Sequence, residues 1–403
     1  MTTRFYADKE TESFVACQRL LSALLPPHRL RALLAAADGS PTAALQIPRE
    51  RVATSEIGMT EKQWERLREA ATSPVAPDFL ERAAALGAWV IQVGDASYSS
   101  NLAPLTDAPP LLFVRGALCP EDAFSVAIVG SRRATIYGRG QADSFARAFA
   151  ERGLTLISGG ASGIDTAAHR GAMGAGGRTI TVLGCGVDVT YPVENRALFA
   201  EIIEKGGALI SEFPLGTKPE PWRFPARNRI IAGMSWATVL IETPQDSGAM
   251  ITARDAAEYG REVWAVPGSI EGGRSRGCHR LIQDGAGLAD SPADVLRALG
   301  LAVEEDLKLP SPTRRISSTR AVPVLRVPEV VGASAVASLF EEPEGLTDTE
   351  SRLIVTFGSE PRHADEAGRQ AGLGASEVAV ALTLLEMKGL LRREPGNLFV
   401  RRR

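Results

Sequence analysis

Short apolar runs alternate with longer helical stretches between residues 124 and 299, and this alternation limits the possible folds more than any other feature of the chain. A run that is apolar throughout is typical of a strand covered on both faces of its sheet. Helices between such strands act as right-handed crossovers, which makes the strands parallel. The segment therefore predicts an α/β, Rossmann-like domain with a buried parallel sheet. Its predicted strands are residues 125–129, 154–157, 179–183, 208–210, 238–241 and 263–266.

The residues before this pattern predict a small helical module followed by a connector. Leucines at helical spacing precede Pro26-Pro27, and Thr60 stands before a last helix as its N-cap. We therefore predict a helical domain over residues 1–74. The connector contains one further predicted strand, residues 88–93, and prolines that predict extended loops. We assign it, with the alternating segment, to an extended Rossmann-like domain over residues 75–302.

The C-terminal part of the chain divides into a linker and a small domain. Residues 303–344 combine prolines, serines and charges with weak periodicity, which is typical of a flexible linker. Helical stretches then surround residues 372–374, and residues 390–400 carry the Pro-Gly turn of a β-wing. This pattern predicts a winged helix-turn-helix domain over residues 345–403.

Cysteine, histidine and charge content restrict the class of protein. The four cysteines form no CxxC pair and the four histidines no HExxH motif, so we predict neither a disulfide frame nor a metal site. The first ten residues lack the apolar region of a signal peptide, and no run approaches the ~18 apolar residues of a membrane helix. We predict a cytoplasmic protein without membrane contact. Because the formal net charge is −3, binding of nucleic acid would depend on a local basic patch.

Glycine-rich turns follow three of the predicted strands, at residues 129–133, 158–165 and 184–186. In an open parallel sheet, ligands bind beyond the carboxyl ends of the strands, where glycine lets the backbone approach a phosphate. These turns predict an anion-binding rim, unless the glycines serve only as tight turns. The dinucleotide fingerprint is not met, because its second and third glycine positions hold Arg132 and Thr135. We therefore predict no cofactor.

Residues 218–229 interleave basic side chains with two aromatic ones. Trp222 and Phe224 could stack on unpaired bases while the arginines meet phosphates. Equally, a ring beside a solvated run of charges could belong to the core. The segment is therefore the strongest sequence indication of a nucleic-acid site, with a structural alternative left open.

A catalytic centre is harder to assemble from the sequence. Glu212, Glu242 and Asp246 follow predicted strands and could form a carboxylate pair, but such residues more often cap helices or pair with arginines. Ser158 and Ser247 have no evident histidine partner for nucleophilic catalysis. We predict that the chain is not an enzyme.

Six long strings occur in a fixed order along the chain. They are VAIVGSRRATIYG (126–138), ISGGASGIDTAAHRGA (157–172), LGCGVDVTYPVEN (183–195), SEFPLGT (211–217), FPARNRIIAGMS (224–235) and SGAMITARDAAEYGREVWAVPGSI (247–270). Together they resemble the DNA-processing protein A family, also called DprA or Smf, over roughly residues 125–290. The N-terminal helices then resemble the SAM-like domain of that family, and the C-terminal residues resemble its winged helix.

The resemblance implies a protein that binds and protects single-stranded DNA and helps to load the RecA recombinase during natural transformation. It also implies a homodimer formed through the Rossmann-like domain and no catalytic activity. For Asn228 and Arg229, a structural network inside the domain is the alternative role. The motifs, with the basic residues beside them, identify these DNA-contact candidates: Arg132, Gly159, Gly160, Lys218, Arg223, Phe224, Arg227, Asn228, Arg229, Ser247 and Gly248.

Two positions depart from the family pattern. Pro221 stands where members often carry a lysine, and Lys218 or Arg223 could take over its role. The tripeptide Gly277-Cys278-His279 stands where Gly-Ser/Thr-Asn is common, so the local site there is expected to differ.

Two other functions stay open at the level of sequence. The turn at residues 158–163 resembles that of nucleotide phosphoribohydrolases, although residues 243–250 lack the glycine pair of their second motif. The other possibility is a duplex-DNA regulator that acts through the winged helix. Its second predicted helix, residues 376–388, turns the acidic Glu377 and Glu386 away from its apolar face. We therefore expect it to contact protein or to regulate, rather than to read duplex sequence.

Overall fold

The computed structural model describes residues 8–301, apart from 53 and 55, and a second, C-terminal set of residues. That set comprises residues 347–357, 362–374, 378, 381–382, 384–385, 388, 390–394 and 398–401. The chain forms two compact units, Met1–Ser311 and Pro312–Arg403. The predicted linker, residues 303–344, lies outside the described residues, and the predicted domain boundaries stay predictions.

The first unit begins with six helices. Pro27 occupies the first turn of the second helix, where a missing N–H costs nothing, and Thr60 caps the fifth through a capping box with Gln63. The predicted N-cap is thereby confirmed. The helices are α1 (Asp8–Ser22), α2 (Pro27–Ala35), α3 (Pro41–Ala44), α4 (Arg49–Val52), α5 (Glu61–Thr72) and α6 (Phe79–Leu86).

A nine-stranded sheet forms the centre of this unit. All six strands predicted between residues 124 and 299 are present and pair in parallel, and the predicted strand at residues 88–93 is present at one edge. The strands are β1 (Ala88–Gln92), β2 (Leu111–Gly116), β3 (Ser125–Gly130), β4 (Thr155–Ser158), β5 (Thr179–Val182), β6 (Ala208–Ser211), β7 (Ala237–Ile241), β8 (Glu262–Ala265) and β9 (Gly287–Leu288).

The order across the sheet is β1-β2-β6-β5-β4-β3-β7-β8-β9. Strand β2 was missed from the sequence, because Pro109 and Pro110 indicated loop, whereas they only precede the strand. It pairs antiparallel with both β1 and β6. The sheet therefore consists of a parallel Rossmann-like part extended by an antiparallel edge.

Helices cover both faces of the parallel strands. Phe145 and Phe149, from the helix after β3, belong to one buried cluster, while Ile230 and Ile231, from the helix before β7, belong to the cluster on the opposite face. The helices are α7 (Ile136–Glu151), α8 (Ile164–Gly174), α9 (Arg196–Glu204), α10 (Arg223–Met234), α11 (Ala249–Glu258), α12 (Arg276–Gln283) and α13 (Pro292–Ala298). Short 3-10 turns occupy Pro120–Ala123, Val193–Asn195 and Glu271–Gly273.

The N-terminal helices share a core with the antiparallel edge of the sheet. Leu20 and Leu33 belong to the same buried cluster as Phe113 of β2 and Leu209 of β6. Phe14 lies edge-on to Phe113, with ring centroids 5.5 Å apart. The helical module is therefore held against the sheet by apolar packing and is not joined to it by the chain alone.

The second unit contains helices α14 (Asp348–Ile354) and α15 (Ala364–Ala371) and the strands β10 (Arg362–His363), β11 (Leu391–Glu394) and β12 (Leu398–Arg401). The strands form an antiparallel sheet in the order β10-β12-β11. Helices and a small sheet of this kind agree with the predicted winged helix. Both Glu377 and Glu386, on which the expectation for its second helix depends, lie outside the described residues.

Candidate nucleic-acid interface

A cavity opens where the direction of strand addition in the parallel sheet reverses. From β3 the chain adds β4, β5 and β6 on one side, and it returns with β7 on the other side. The turns after β3 and β7 therefore separate and leave a crevice, the usual ligand position in such sheets. The cavity measures about 710 Å³, and its walls include residues 129–133, 219–228 in part and 244–249 in part.

Phe224 lies in this cavity at the start of α10. Its ring is half-buried, 5.0 Å from the Arg132 guanidinium and 5.4 Å from the ring of Tyr191. A Cβ on Gly184 would come within 2.9 Å of the Phe224 ring, so glycine is needed there for the ring to pack. The exposed Arg132 guanidinium lies over the ring, so a base that stacks on this face of Phe224 would take the place of the guanidinium, which could then meet the neighbouring phosphate.

Three arginines lie at the mouth of the cavity. Arg132 and Arg133 are exposed, and neither side chain pairs with a carboxylate among the residues that the structure describes. Arg274 donates to the carbonyl oxygen of Arg133 over 2.9 Å. Asp246 is the exposed acidic residue in the lining, so cations outnumber anions at this mouth. A local basic patch thus exists in a chain whose net charge is −3.

Arg227 is buried behind the ring and fixes the glycine turn. Its Nη1 donates to the carbonyl oxygens of Gly159, at 2.7 Å, and of Val182. Burial lowers the pKa of Arg227 to about 10, while the nearby Asp165 acts in the opposite direction, so the group stays charged at neutral pH. A Cβ on Gly159 would come within 2.4 Å of Nη1, so here glycine makes room for an arginine.

Asp165 binds the same turn from its other side. Its carboxylate accepts from the backbone N–H groups of Gly159 and Ala161, each at 3.2 Å. Burial raises the pKa of Asp165, and the charge of Arg227 opposes that rise. Gly160 adopts φ = +65°, and a Cβ there would collide with Thr181. The N–H of Gly159 is therefore already occupied within the protein.

The neighbours of Arg227 on α10 have different surroundings. Asn228 donates through Nδ2 to the carbonyl oxygen of Gly248 over 3.0 Å and ties α10 to the start of α11. The hydroxyl oxygen of Ser247 accepts from the N–H of Ala249 at 3.3 Å. Asn228, Ser247 and Gly248 all line the cavity, and these two hydrogen bonds hold them in position.

Arg229 lies apart from this cavity. It pairs with the carboxylate of Glu212, and its Nε is 4.0 Å from Asp107. Tyr259 donates to the same Asp107 over 2.5 Å. The structure thus gives Arg229 the ion-pair network that the sequence left open as its alternative role.

Arg223 and Lys218 also lie outside the lining of the main cavity. The Arg223 guanidinium lies over the rings of Phe213, at 5.4 Å, and Trp222, at 4.9 Å, and donates to the carbonyl oxygen of Lys218. The Lys218 side chain is exposed. Pro221, at the position of the family lysine, lines the cavity itself, so the cation nearest the ring is Arg132.

The second departure from the family pattern lies in α12. The N–H of Gly277 donates to the carbonyl oxygen of Thr243 over 2.8 Å, and a Cβ at Gly277 would approach that oxygen to 2.6 Å. Cys278 is fully buried, and His279 contacts the carbonyl oxygen of Gly268 at 3.0 Å. These residues pack α12 against the end of β7 behind the cavity.

Arg133, Tyr191 and Arg274 line the cavity but were not among the predicted contacts. Arg133 and Tyr191 fall within the strings that carry the resemblance, so a signal for them was present in the sequence. Arg274 comes from a separate glycine-rich stretch, residues 271–277, and only the folded chain places it beside Arg133.

Two of the three candidate catalytic carboxylates have structural partners, while Asp246 is exposed in the lining of the cavity. Glu212 pairs with Arg229, and Glu242 accepts from the N–H of Thr135 over 2.7 Å at the start of α7. His169 is fully buried between Thr179 and Thr181, and burial together with the charge of Arg227 lowers its pKa to about 3. Among the described residues, no group of three or more His, Cys, Asp or Glu side chains could hold a metal ion.

The fold and the cavity define a class: a Rossmann-like α/β protein with a basic, aromatic crevice where the sheet order reverses, joined to a winged helix. The family model described as "DNA recombination-mediator protein A" matches residues 89–300, and the model described as "DprA winged helix domain" matches residues 341–397. The chain belongs to this DprA (Smf) family and is thereby a DNA-processing protein.

Individual relatives agree with this assignment. Protein Smf of Synechocystis is 36% identical over 76% of this chain and 79% of its own length. The DNA processing protein DprA of Streptococcus pneumoniae is 44% identical over 50% of this chain and 71% of its own. The X-ray structure of that DprA superposes with a TM-score of 0.59 at 34% identity, covering 69% of this chain and 95% of the other. Within the part of the chain described, no helix is long and apolar enough to cross a membrane.

Proposed function

We propose that the chain binds single-stranded DNA in the cavity at the reversal of the sheet. The observation that carries this proposal is the half-buried Phe224 ring, held beside the exposed Arg132 guanidinium. An aromatic ring inside a cavity stacks most readily on an unpaired base, because a paired base is already stacked within its duplex, whereas phosphate contacts alone would not distinguish single strands from duplex.

The lining favours binding that tolerates any sequence. Ring and guanidinium groups contact the face of a base and its phosphate, and both features are common to all nucleotides. The backbone groups that could have read a base edge are engaged within the protein, as at Gly159 and Gly248. We therefore infer affinity without base readout.

Substitution of Arg132 by glutamine tests the phosphate contact. We expect Arg132→Gln to weaken binding of an oligothymidine and to reduce the slope of log affinity against log salt by ~0.7, the value for one phosphate on a single strand. Fluorescence anisotropy at several salt concentrations measures both quantities.

Arg152→Gln is the matched control, because Arg152 is exposed at the end of α7 that lies away from the carboxyl ends of the strands. It removes one charge without touching the cavity. Equal slopes for the wild type, the Arg132 variant and the Arg152 variant would exclude Arg132 from the interface.

A role in recombination extends this proposal beyond the cavity. Membership of the family supports protection of incoming single strands during natural transformation, loading of RecA onto them, and a homodimer formed through the Rossmann-like domain. We expect such a protein to work in the cytoplasm without a catalytic group. Sedimentation of the purified chain and its effect on RecA filament formation test these steps.

The winged helix is expected to add little to single-strand binding. Removal of the residues after about position 300 leaves the whole cavity, since its lining ends at Arg274. We expect the truncated chain to keep most of its affinity for oligothymidine in the same anisotropy assay. Abolished binding, or selection of a duplex sequence by the isolated winged helix, would instead make that domain the DNA reader.

A further inference from the structure

A second cavity, of about 450 Å³, lies between the N-terminal helices and the end of β6. Its walls include Arg19 of α1, Arg82 of α6 and Arg223 at the start of α10, and none of its described lining residues is acidic. Three guanidinium groups thus come from three separate parts of the sequence to one concave surface.

The guanidinium groups of this cavity are incompletely satisfied by the protein. The Nε atoms of Arg19 and Arg223 are buried and have no hydrogen-bond partner among the described residues. Arg19 makes no ion pair with any of those residues, whereas Arg82 pairs with Asp78 at 3.1 Å and Arg223 approaches Glu220 at 3.6 Å. A concave surface lined by three arginines, with no acidic residue in its described lining, favours an anionic ligand.

The position of Arg19 is fixed by its neighbour. Gln18 donates through Nε2 to the carbonyl oxygen of Leu215 at 3.1 Å and accepts from the N–H of Leu215 at 2.9 Å. These two bonds hold α1 against the loop that follows β6, and the shared apolar core supports them. The cavity is therefore built into the fold of this unit.

One short segment separates the two cavities. Pro219, Pro221 and Phe224 face the main cavity, whereas Thr217 and Arg223 face the second one. Trp222 stands between Pro221 and Arg223 in the chain and is 51% exposed, with its ring 4.9 Å from the Arg223 guanidinium and its Nε1 donating to Glu220 over 2.6 Å. A strand that leaves the Phe224 ring can therefore cross an exposed aromatic side chain before it reaches the second group of arginines.

We propose that the second cavity binds the phosphodiester backbone of the same single strand, beyond the nucleotides held at Phe224. This inference rests on the proposed function, since the ligand is a continuation of that strand. Arg19, Arg82 and Arg223 bind phosphate oxygens, and Trp222 supports the base at the crossing. The N-terminal helices thereby form part of the DNA-binding surface.

The test compares two lengths of oligothymidine on the full chain. A strand of about 6 nucleotides fills the main cavity, whereas one of about 20 nucleotides also reaches the second. We expect Arg19→Gln to weaken binding of the long strand several-fold and to reduce its salt slope by about 0.7, and to leave the short strand unaffected. Arg82→Gln, at an exposed side chain, should act in the same way, and Arg152→Gln should change neither length.

Other outcomes separate this inference from the proposed function. Unchanged long-strand binding in both Arg19→Gln and Arg82→Gln would overturn the proposal for the second cavity. A loss of binding in Phe224→Ala would at the same time support the proposal for the main cavity. Arg19-dependent binding of free thymidine monophosphate, without an effect on the long strand, would overturn it in favour of a nucleotide pocket. Failure of the wild type to bind either length would remove both proposals together.

Discussion

Phe224→Ala is expected to weaken binding of single-stranded DNA by ~1–3 kcal/mol, the range for one base stacked on an aromatic side chain. At tenfold per 1.4 kcal/mol, this corresponds to a rise in Kd of about 5-fold to 150-fold. The physical reason is the loss of the half-buried ring, on which the base would stack in place of the exposed Arg132 guanidinium. Anisotropy titration with oligothymidine measures the change.

Phe124→Ala is the matched control for this substitution. Phe124 is 52% exposed just before β3, at the end of the sheet opposite the cavity, and packs edge-on against Trp236 with centroids 5.0 Å apart. The Phe124→Ala variant therefore loses an aromatic ring of the same size at a distance from the proposed DNA site. If Phe224→Ala binds normally but melts at a much lower temperature than Phe124→Ala, then Phe224 is a core residue and the proposed stacking is wrong.

Arg227→Leu is expected to lower the free energy of unfolding by ~3 kcal/mol, because it leaves two buried carbonyl oxygens without a donor at a cost of about 1–3 kcal/mol each. Without the guanidinium, the carbonyl oxygens of Gly159 and Val182 lose their donor, and the positive charge that opposes the rise in the pKa of Asp165 is lost. Urea unfolding measures this difference.

Arg132→Gln is the control for stability. Because Arg132 is exposed, this variant should have the same free energy of unfolding as the wild type. Arg227→Lys keeps the positive charge but has fewer N–H donors. Its free energy of unfolding should therefore lie between those of the leucine variant and the wild type. Normal stability of Arg227→Leu together with lost DNA binding would instead make Arg227 a direct DNA contact.

Helical periodicity explains which residues of the basic-aromatic segment reach the main cavity. Phe224, Arg227, Asn228 and Ile231 line it at the spacing i, i+3, i+4 and i+7 of one helix face, and Pro225 lines it beside Phe224 in the first turn. Arg229 falls off that face and pairs with Glu212 instead. The sequence interpretation took Arg229 from the same family-like string as Arg227 and Asn228, and that string does not say which helix face each residue occupies.

Local patterns in the sequence were enough to establish the elements and the family. Apolar runs, a capping box and the six strings depend on residues close together in the chain, so the parallel strands, the cap at Thr60 and the DprA assignment all follow from the sequence. Strand β2 escaped because a proline before a strand resembles a proline within a loop.

The role of each polar side chain, in contrast, depends on the tertiary structure. Arg227 and Arg132 are both arginines in conspicuous motifs, yet one is buried against backbone carbonyl oxygens and the other is exposed beside Phe224. Likewise, Arg19 and Arg223 lie far apart in the chain and meet only after α1 docks on the loop following β6. Burial and pairing depend on groups that are distant along the chain, and a local sequence pattern contains no information about those distances.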